Sequence, residues 1–169
     1  MKYTIEDIFD VSAARYWQVF FDDAFNAALW PALDITCEPI ELRRTGEGDA
    51  LEIVREQRLT PKREVPALIQ KFVKGGFSYT EKNTFKAREN MMRTVTTPSF
   101  MADKITTHGI YRLEVLGPKQ VKRVWEGTVE CSIPLLGGKV EKILVDEVRE
   151  SYRRATEFTR KWHASHPET

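Results

Sequence analysis

The amino-acid sequence predicts a single α+β domain, built in the order of one strand, two short helices, six strands and one long helix. Its 169 residues are enough for one domain spanning 1–169 and too few for two. Most of the chain before residue 134 alternates apolar and polar residues, which is the pattern of half-buried strands. After residue 138 the apolar residues recur with the period of an amphipathic helix.

The first part of the chain is predicted to form a strand and two helices. Residues 2–9 alternate well enough for the strand. Ser12 is a typical N-cap, and residues 13–30 have helical spacing that breaks near Asp22, which indicates two short helices. We expect the second helix to end at Pro31, since the residue before a proline avoids the helical conformation.

Six further strands are predicted between residues 35 and 133. The first two form a hairpin around a glycine-rich turn at 45–49. The segment 60–76 is ambiguous, and a short helix and an irregular edge strand both fit its two prolines and terminal glycine pair. The last four strands are predicted at 77–87, 90–98, 107–117 and 119–133.

The final helix is predicted from one apolar stripe that runs to about residue 163. At about 25 residues this helix is roughly twice the mean length. The stripe consists of Val140, Ile143, Leu144, Val148, Tyr152, Ala155, Phe158 and Trp162.

Composition and motifs argue against several classes of function. The net charge is +1 and no five like charges lie in succession, so we expect no nucleic-acid binding. We find no run of about 18 apolar residues and no apolar signal region, which makes the cytoplasm the expected location. Cys37 and Cys131 are expected to be reduced, packed thiols. The common hydrolase and zinc signatures are absent, so we predict no catalytic motif, metal site or cofactor.

The stretch GTVECSIPLLGGKVEKILVDEVRESYRRATEFTRKW, residues 127–162, joins a strand that ends in Ile-Pro-Leu-Leu-Gly-Gly to a helix that begins with Lys-Val-Glu. This stretch and the order of elements resemble the START-like, birch-pollen-allergen-like helix-grip (SRPBCC) superfamily. The sequence is most similar to a bacterial branch of unknown function, in which an iPllGgkiE segment precedes the last helix. The resemblance spans almost the whole chain. It implies a curved seven-stranded antiparallel sheet that grips the C-terminal helix, with a hydrophobic tunnel between them.

The same resemblance implies the binding or transport of a hydrophobic small molecule, such as a lipid or sterol, in that tunnel. The expected partner is therefore an apolar ligand, with transient membrane contact during transfer. Some members of the superfamily are cyclases or aromatases, so an enzyme acting on an apolar carbonyl substrate is the alternative. A structural or interaction domain with a filled core is the third hypothesis.

Alternation along the strands and the helical period predict which residues line the tunnel. Val115 is expected to share the inward face. The small residues Gly127, Cys131 and Ala155 are expected to leave volume unfilled. Periodicity alone favours a filled core, and the resemblance reverses that preference. The predicted ligand-binding residues are Ile53, Arg55, Tyr111, Leu113, Arg123, Trp125, Val129, Cys131, Leu144, Val148 and Tyr152.

Arg55, Arg123 and Tyr111 are the polar candidates for orienting one end of an amphipathic ligand. An inward arginine needs a partner, because burying an unpaired charge is costly. Glu52, Gln57 or a carboxylate of the ligand could serve. A slip of one residue in strand register would place both arginines in solvent, and the sequence supports the two arrangements equally.

The segment 98–102 contains two large apolar residues, Phe100 and Met101, beside a predicted loop. Such a tip can gate the tunnel or touch a membrane. The sequence supports folding back into the core equally well.

The three histidines are weak candidates for chemistry. His108 stands alone in a strand, as a general acid or as a structural or exposed residue. His163 and His166 are expected in a solvated C-terminal tail, since no cysteine or carboxylate of ligand spacing accompanies them.

Overall fold

The computed structural model describes residues 1–73 and 76–168, and it confirms the predicted α+β helix-grip fold. Seven antiparallel strands form one sheet in the order β1-β7-β6-β5-β4-β3-β2. Two short helices follow the first strand, and a long helix ends the described chain. The strands are β1 (Lys2–Phe9), β2 (Ile35–Thr45), β3 (Glu52–Pro61), β4 (Tyr79–Lys86), β5 (Met91–Pro98), β6 (Ile105–Gly117) and β7 (Gln120–Cys131), and the helices are α1 (Ala13–Phe20), α2 (Asp23–Ala32), α3 (Ala67–Gln70) and α4 (Gly137–Ser165).

The first short helix begins at the predicted cap, Ser12, and the second begins at the predicted break, where Asp22 is the cap. The Ser12 hydroxyl accepts a hydrogen bond from the backbone N–H of Arg15 at 3.2 Å, and the Asp22 carboxylate accepts one from Phe25 at 2.8 Å. The predicted end of the second helix at Pro31 is wrong, because α2 includes Pro31 and continues to Ala32. A proline in the last turn removes only one helical hydrogen bond, and the burial of apolar residues of α2 against β2 and α4 outweighs that loss.

The strand register places one row of side chains under α4 and α2. On β3 and β4 the row contains the directly opposed pair Arg55 and Asn83. It continues through Thr94 on β5 and reaches the opposed glycines 109 and 127 on β6 and β7. This register settles the alternatives for the two arginines, because Arg55 and Arg123 are both buried on the inner face. Val115 shares that parity but is 60% exposed, since it lies near the end of β6 at a register irregularity.

Because Gly109 and Gly127 have no side chains, they leave room for two aromatic rings. A Cβ atom at position 127 would lie 2.5 Å from Cζ of Tyr3 and 2.6 Å from Nε1 of Trp125, and one at position 109 would lie 2.5 Å from Cη2 of Trp125. The prediction that Gly127 leaves volume unfilled is therefore wrong, because the rings of Tyr3 and Trp125 occupy that space.

The ambiguous segment between β3 and β4 contains the short helix α3, while Lys74 and Gly75 of its predicted end lie outside the described residues. Ile69 of α3 is buried in a cluster with Ile105 and Val140. Before α3, the Nη2 atom of Arg63 lies 2.8 Å from a Glu147 carboxylate oxygen and 3.1 Å from the Ser151 hydroxyl, both on α4. These contacts fasten the segment over one end of the space between sheet and helix.

Candidate functional site

Two adjoining cavities lie between the sheet and α4, one of about 170 Å³ and one of about 140 Å³. We name the larger one the α3 cavity, because the segment that contains α3 forms part of its wall. The smaller one is the α2 cavity, which is bounded by α1, α2 and β3. Six residues belong to both walls and separate the two spaces: Ile35, Tyr79, Glu81, Thr94, Ser151 and Tyr152.

Most of the predicted tunnel residues line these cavities. The α3 cavity has Trp125, Val129, Leu144 and Val148 in its wall, and the α2 cavity has Arg55, Tyr111 and Arg123, with Tyr152 common to both.

Ile53, Leu113 and Cys131 lie outside both cavities, contrary to the sequence prediction. Ile53 and Leu113 belong to the close-packed cluster around Trp17 and Phe85, so neighbouring side chains fill the space beside them. Cys131 is half-buried at the end of β7, against the cluster that contains Ile69.

Phe100 and Met101, the candidate gate, also pack inward. Phe100 is 8% exposed and its ring centroid lies 5.5 Å from that of Phe77. Met101 is half-buried against the same cluster. The structure therefore shows this segment folded back into the core. Neither Phe100 nor Met101 lines the α3 or the α2 cavity.

Arg55 is the most unusual residue of the α2 cavity. Its side chain is inside the protein, with 9% of the residue exposed. Its guanidinium lies 4.9 Å from the ring centroid of Phe20 and 5.1 Å from that of Phe21. The Nη1 atom has a distant acceptor in the Asn26 side-chain oxygen at 3.5 Å, and Nε has no hydrogen-bond partner within the described chain. Burial lowers the pKa of Arg55, and the negative charge of Glu81 acts in the opposite direction.

A polar network extends across β2, β3, β4 and β5, and two of its members, Glu81 and Thr94, line both cavities. A single carboxylate oxygen of Glu81 accepts hydrogen bonds from the side-chain amides of Gln57, at 3.3 Å, and Asn83, at 2.9 Å. The Thr94 hydroxyl donates to the Asn83 oxygen at 2.8 Å, and the Cys37 thiol lies 3.5 Å from the Gln57 oxygen. The predicted site omitted Glu81, Asn83 and Thr94. Alternation with the buried Phe85 on β4 could have indicated Glu81 and Asn83, and alternation with the buried Met92 on β5 could have indicated Thr94. Their polarity, however, is more typical of an outer face.

Arg123 differs from Arg55 because its charge is paired within the protein. Its Nη2 atom donates to the Asp7 carboxylate and, at 2.6 Å, to the Thr156 hydroxyl. Asp7 is the residue directly opposite on β1, so the partner is neither Glu52 nor Gln57. The guanidinium also lies 4.9 Å from the ring centroid of Tyr152.

Two tyrosine hydroxyls provide neutral hydrogen-bonding groups beside Arg123. The hydroxyls of Tyr111 and Tyr16 share a hydrogen bond at the wall of the α2 cavity. Burial raises the pKa of Tyr111 and of Tyr152 well above the ordinary value. The hydroxyls of Tyr111 and Tyr152 are therefore protonated at neutral pH.

His108 and two further arginines of the middle strands, Arg93 and Arg112, lie away from the cavities. His108 is exposed on the outside of the sheet. Arg93 is exposed too, and Arg112 pairs with Glu114 and Glu126.

The prediction for His163 is wrong, since it lies within α4 and not in a solvated tail. Its ring is half-buried 6.0 Å from that of Tyr16, because α4 continues past it to Ser165.

Within residues 1–73 and 76–168, no three histidine, cysteine or carboxylate side chains come together as a metal site would require. No helix of the described chain combines the length and the apolar character needed to cross a bilayer. Both cysteines are free thiols and half-buried.

Three solved structures share the fold over nearly the whole chain. A START superfamily protein from Mycobacterium smegmatis is 17% identical and has a TM-score of 0.62, covering 95% of this chain and 97% of that one. The Zhui aromatase/cyclase from Streptomyces sp. R1128 is 11% identical with a TM-score of 0.61, covering 97% and 95%. Norcoclaurine synthase from Thalictrum flavum, solved with dopamine and hydroxybenzaldehyde, is 13% identical with a TM-score of 0.60, covering 100% and 89%.

At these identities the likeness establishes the fold alone. No curated protein matches the sequence. Residues 4–162 match the family described as "Protein of unknown function (DUF2505)". Because that match covers most of the sequence, the chain belongs to the DUF2505 family, and its fold is the START-like helix-grip fold.

Proposed function

We propose that this protein binds a hydrophobic small molecule in the α3 and α2 cavities. The observation that supports this most is the unfilled space itself, about 170 and 140 Å³ in two adjoining volumes. Protein interiors are close-packed and hold few voids larger than a water molecule. Taken together, the two volumes reach the lower end of small-molecule sites, about 300 Å³.

The walls favour an apolar ligand of modest size. Val129, Leu144 and Val148 supply aliphatic surface, and Trp125 supplies aromatic surface. Affinity would come chiefly from removing ligand surface from water, at about 25 cal/mol per Å². The volumes suit a small aromatic or short-chain molecule better than a sterol. The norcoclaurine synthase structure, with its dopamine and hydroxybenzaldehyde, supports the capacity of this fold to hold small aromatic molecules.

Native mass spectrometry of the purified protein tests the proposal. We expect either a co-purified molecule or a stoichiometric adduct when the protein is incubated with the neutral probe 2-naphthamide. A Val148→Trp variant should lose the adduct, because the indole fills the α3 cavity. The control variant Leu42→Trp adds the same ring at an exposed position and should keep it. If V148W bound 2-naphthamide as well as the natural protein does, the binding site would lie elsewhere. If the natural protein showed neither a co-purified molecule nor a 2-naphthamide adduct, the proposal would be overturned.

A second function, cyclase or aromatase-like catalysis, is favoured by the Tyr111–Tyr16 pair. Whichever hydroxyl accepts the shared hydrogen bond keeps its own proton. That proton could be donated to a carbonyl oxygen of a substrate in the α2 cavity, away from water. The same mass measurement separates the two functions. A carried molecule keeps its mass during incubation, whereas a converted one changes, and Tyr111→Phe should then abolish the change.

A further inference from the structure

We propose that the natural ligand is an amphipathic acid whose carboxylate binds Arg55 in the α2 cavity, while its apolar part extends towards the α3 cavity. This inference rests on the proposed function, and it names the chemical class of the ligand.

The two buried arginines of the α2 cavity differ in whether the protein balances their charge. Arg123 pairs with the Asp7 carboxylate and a threonine hydroxyl. Arg55 is also buried, with 9% of the residue exposed against 2% for Arg123, yet no carboxylate oxygen forms an ion pair with it within 4 Å in the described chain. An unpaired buried charge is costly, so Arg55 is where a ligand can contribute the missing anion.

The donors of Arg55 outnumber the acceptors that the protein offers. A guanidinium has five N–H donors, and the described contacts provide one acceptor, the Asn26 oxygen at 3.5 Å. Asn26 has little freedom to approach, because its amide nitrogen donates to the backbone oxygens of Phe20, at 3.0 Å, and Asp22, at 2.7 Å. The Nε atom has no partner at all within the described chain.

The surroundings of Arg55 favour a planar monoanion. Phe20 and Phe21 contact the guanidinium through their rings and exclude water from its sides. A carboxylate can accept two parallel hydrogen bonds from the planar fork that remains. Glu81 lines the same cavity and is already hydrogen-bonded to Gln57 and Asn83. Its charge would repel a dianion such as a phosphate more strongly than a carboxylate.

The experiment compares two probes of nearly equal shape, 2-naphthoate and the neutral 2-naphthamide, by isothermal titration calorimetry. The natural protein should bind the acid about tenfold more tightly than the amide, as a charge-assisted pair implies. Arg55→Met should remove that preference, so that the two probes bind with equal affinity, and detectable binding of the amide shows that the variant is folded. Glu81→Gln should strengthen binding of the acid, because it removes a nearby like charge.

Arg93→Met is the matched control, since it makes the same charge change on the exposed face of β5. The preference for the acid should survive in it. Equal affinities for the two probes in the natural protein would overturn the inference, and so would a preference for the acid that persists in R55M. In either case, binding of the amide would still support the proposed function. Failure of both probes to bind would contradict the proposed function together with this inference.

Discussion

His163 shows how a single buried side chain links stability to pH. Its Nε2 atom is buried without a hydrogen-bond partner in the described chain, and burial lowers its pKa, with Arg15 acting in the same direction and Glu168 against it. Between the lowered pKa and about 6.5, the unfolded chain binds more protons than the folded one. The contribution of His163 is thus complete above about pH 6.5 and is lost as the pH falls towards the folded-state pKa.

We expect the free energy of unfolding to decrease as the pH falls from 7 to 5, and a His163→Gln variant to show less of this decrease. The measurement is urea denaturation at a series of pH values. The exposed His108 offers the control, because H108Q should retain the full decrease. Parallel profiles for the natural protein and H163Q would show that this imidazole contributes nothing.

Some of these residue properties could be predicted from sequence and others could not. Alternation placed Arg55 and Arg123 on one face of their strands, but only the register decides which face is buried. The carboxylate that pairs with Arg123 comes from Asp7, 116 residues away. No local pattern reports such a distant contact. Glu81 was missed for a related reason, since polar residues on an inner face contradict the apolar pattern that identifies strands.

The pairing of β6 with β7, and of β7 with β1, depends at one point on the absence of side chains. The rings of Tyr3 and Trp125 lie where Cβ atoms of residues 109 and 127 would be. Both rings are buried, and Trp125 also faces the α3 cavity. Gly109 and Gly127 therefore determine the position of part of a cavity wall as well as the packing of the sheet.

A Gly127→Ala variant should be less stable by about 1–3 kcal/mol, the usual cost of adding volume to a packed core. Gly138→Ala is the control, because a Cβ there meets nothing within 4 Å and the position lies in the first turn of α4. It should be neutral or slightly stabilising. Guanidinium denaturation measures both, and equal stability of G127A and the natural protein would show that the rings can move aside without cost.

For whole helices and strands, the periodicity of the sequence was sufficient to predict their order along the chain. The exceptions are instructive. Pro31 lies inside α2 because tertiary packing outweighs a local preference, and the segment with α3 has no single period because it covers a cavity end instead of joining a layer.

For the molecule as a whole, the unfilled interior costs stability, and the space it leaves is what the proposed binding function requires. Ala155 lines the α2 cavity beside the cluster of Phe25 and Leu29. An Ala155→Leu variant should gain about 0.5–2 kcal/mol of stability by filling that space, and it should bind 2-naphthamide more weakly.

Thermal denaturation tests the expected gain in stability of A155L, and titration with 2-naphthamide tests the expected loss of affinity. Ala164→Leu makes the same change on the exposed side of α4 and should alter neither property. Destabilisation by A155L would mean that the cavity wall cannot accept a larger side chain, and unchanged binding would place the ligand entirely in the α3 cavity.

The family resemblance predicted a hollow interior, but its volume depends on rotamers across seven strands and a helix, which a sequence does not specify.

The fastening of Arg63 to Glu147 and Ser151 has a consequence for kinetics. The ion pair is partly exposed, so dissolved salt screens it. If the segment must lift for a neutral guest to pass, raising the ionic strength lowers the same barrier in both directions. The rates of ligand entry and ligand release then increase together, and the dissociation constant stays the same. The ionic strength of the solution would thus control how quickly a neutral ligand exchanges.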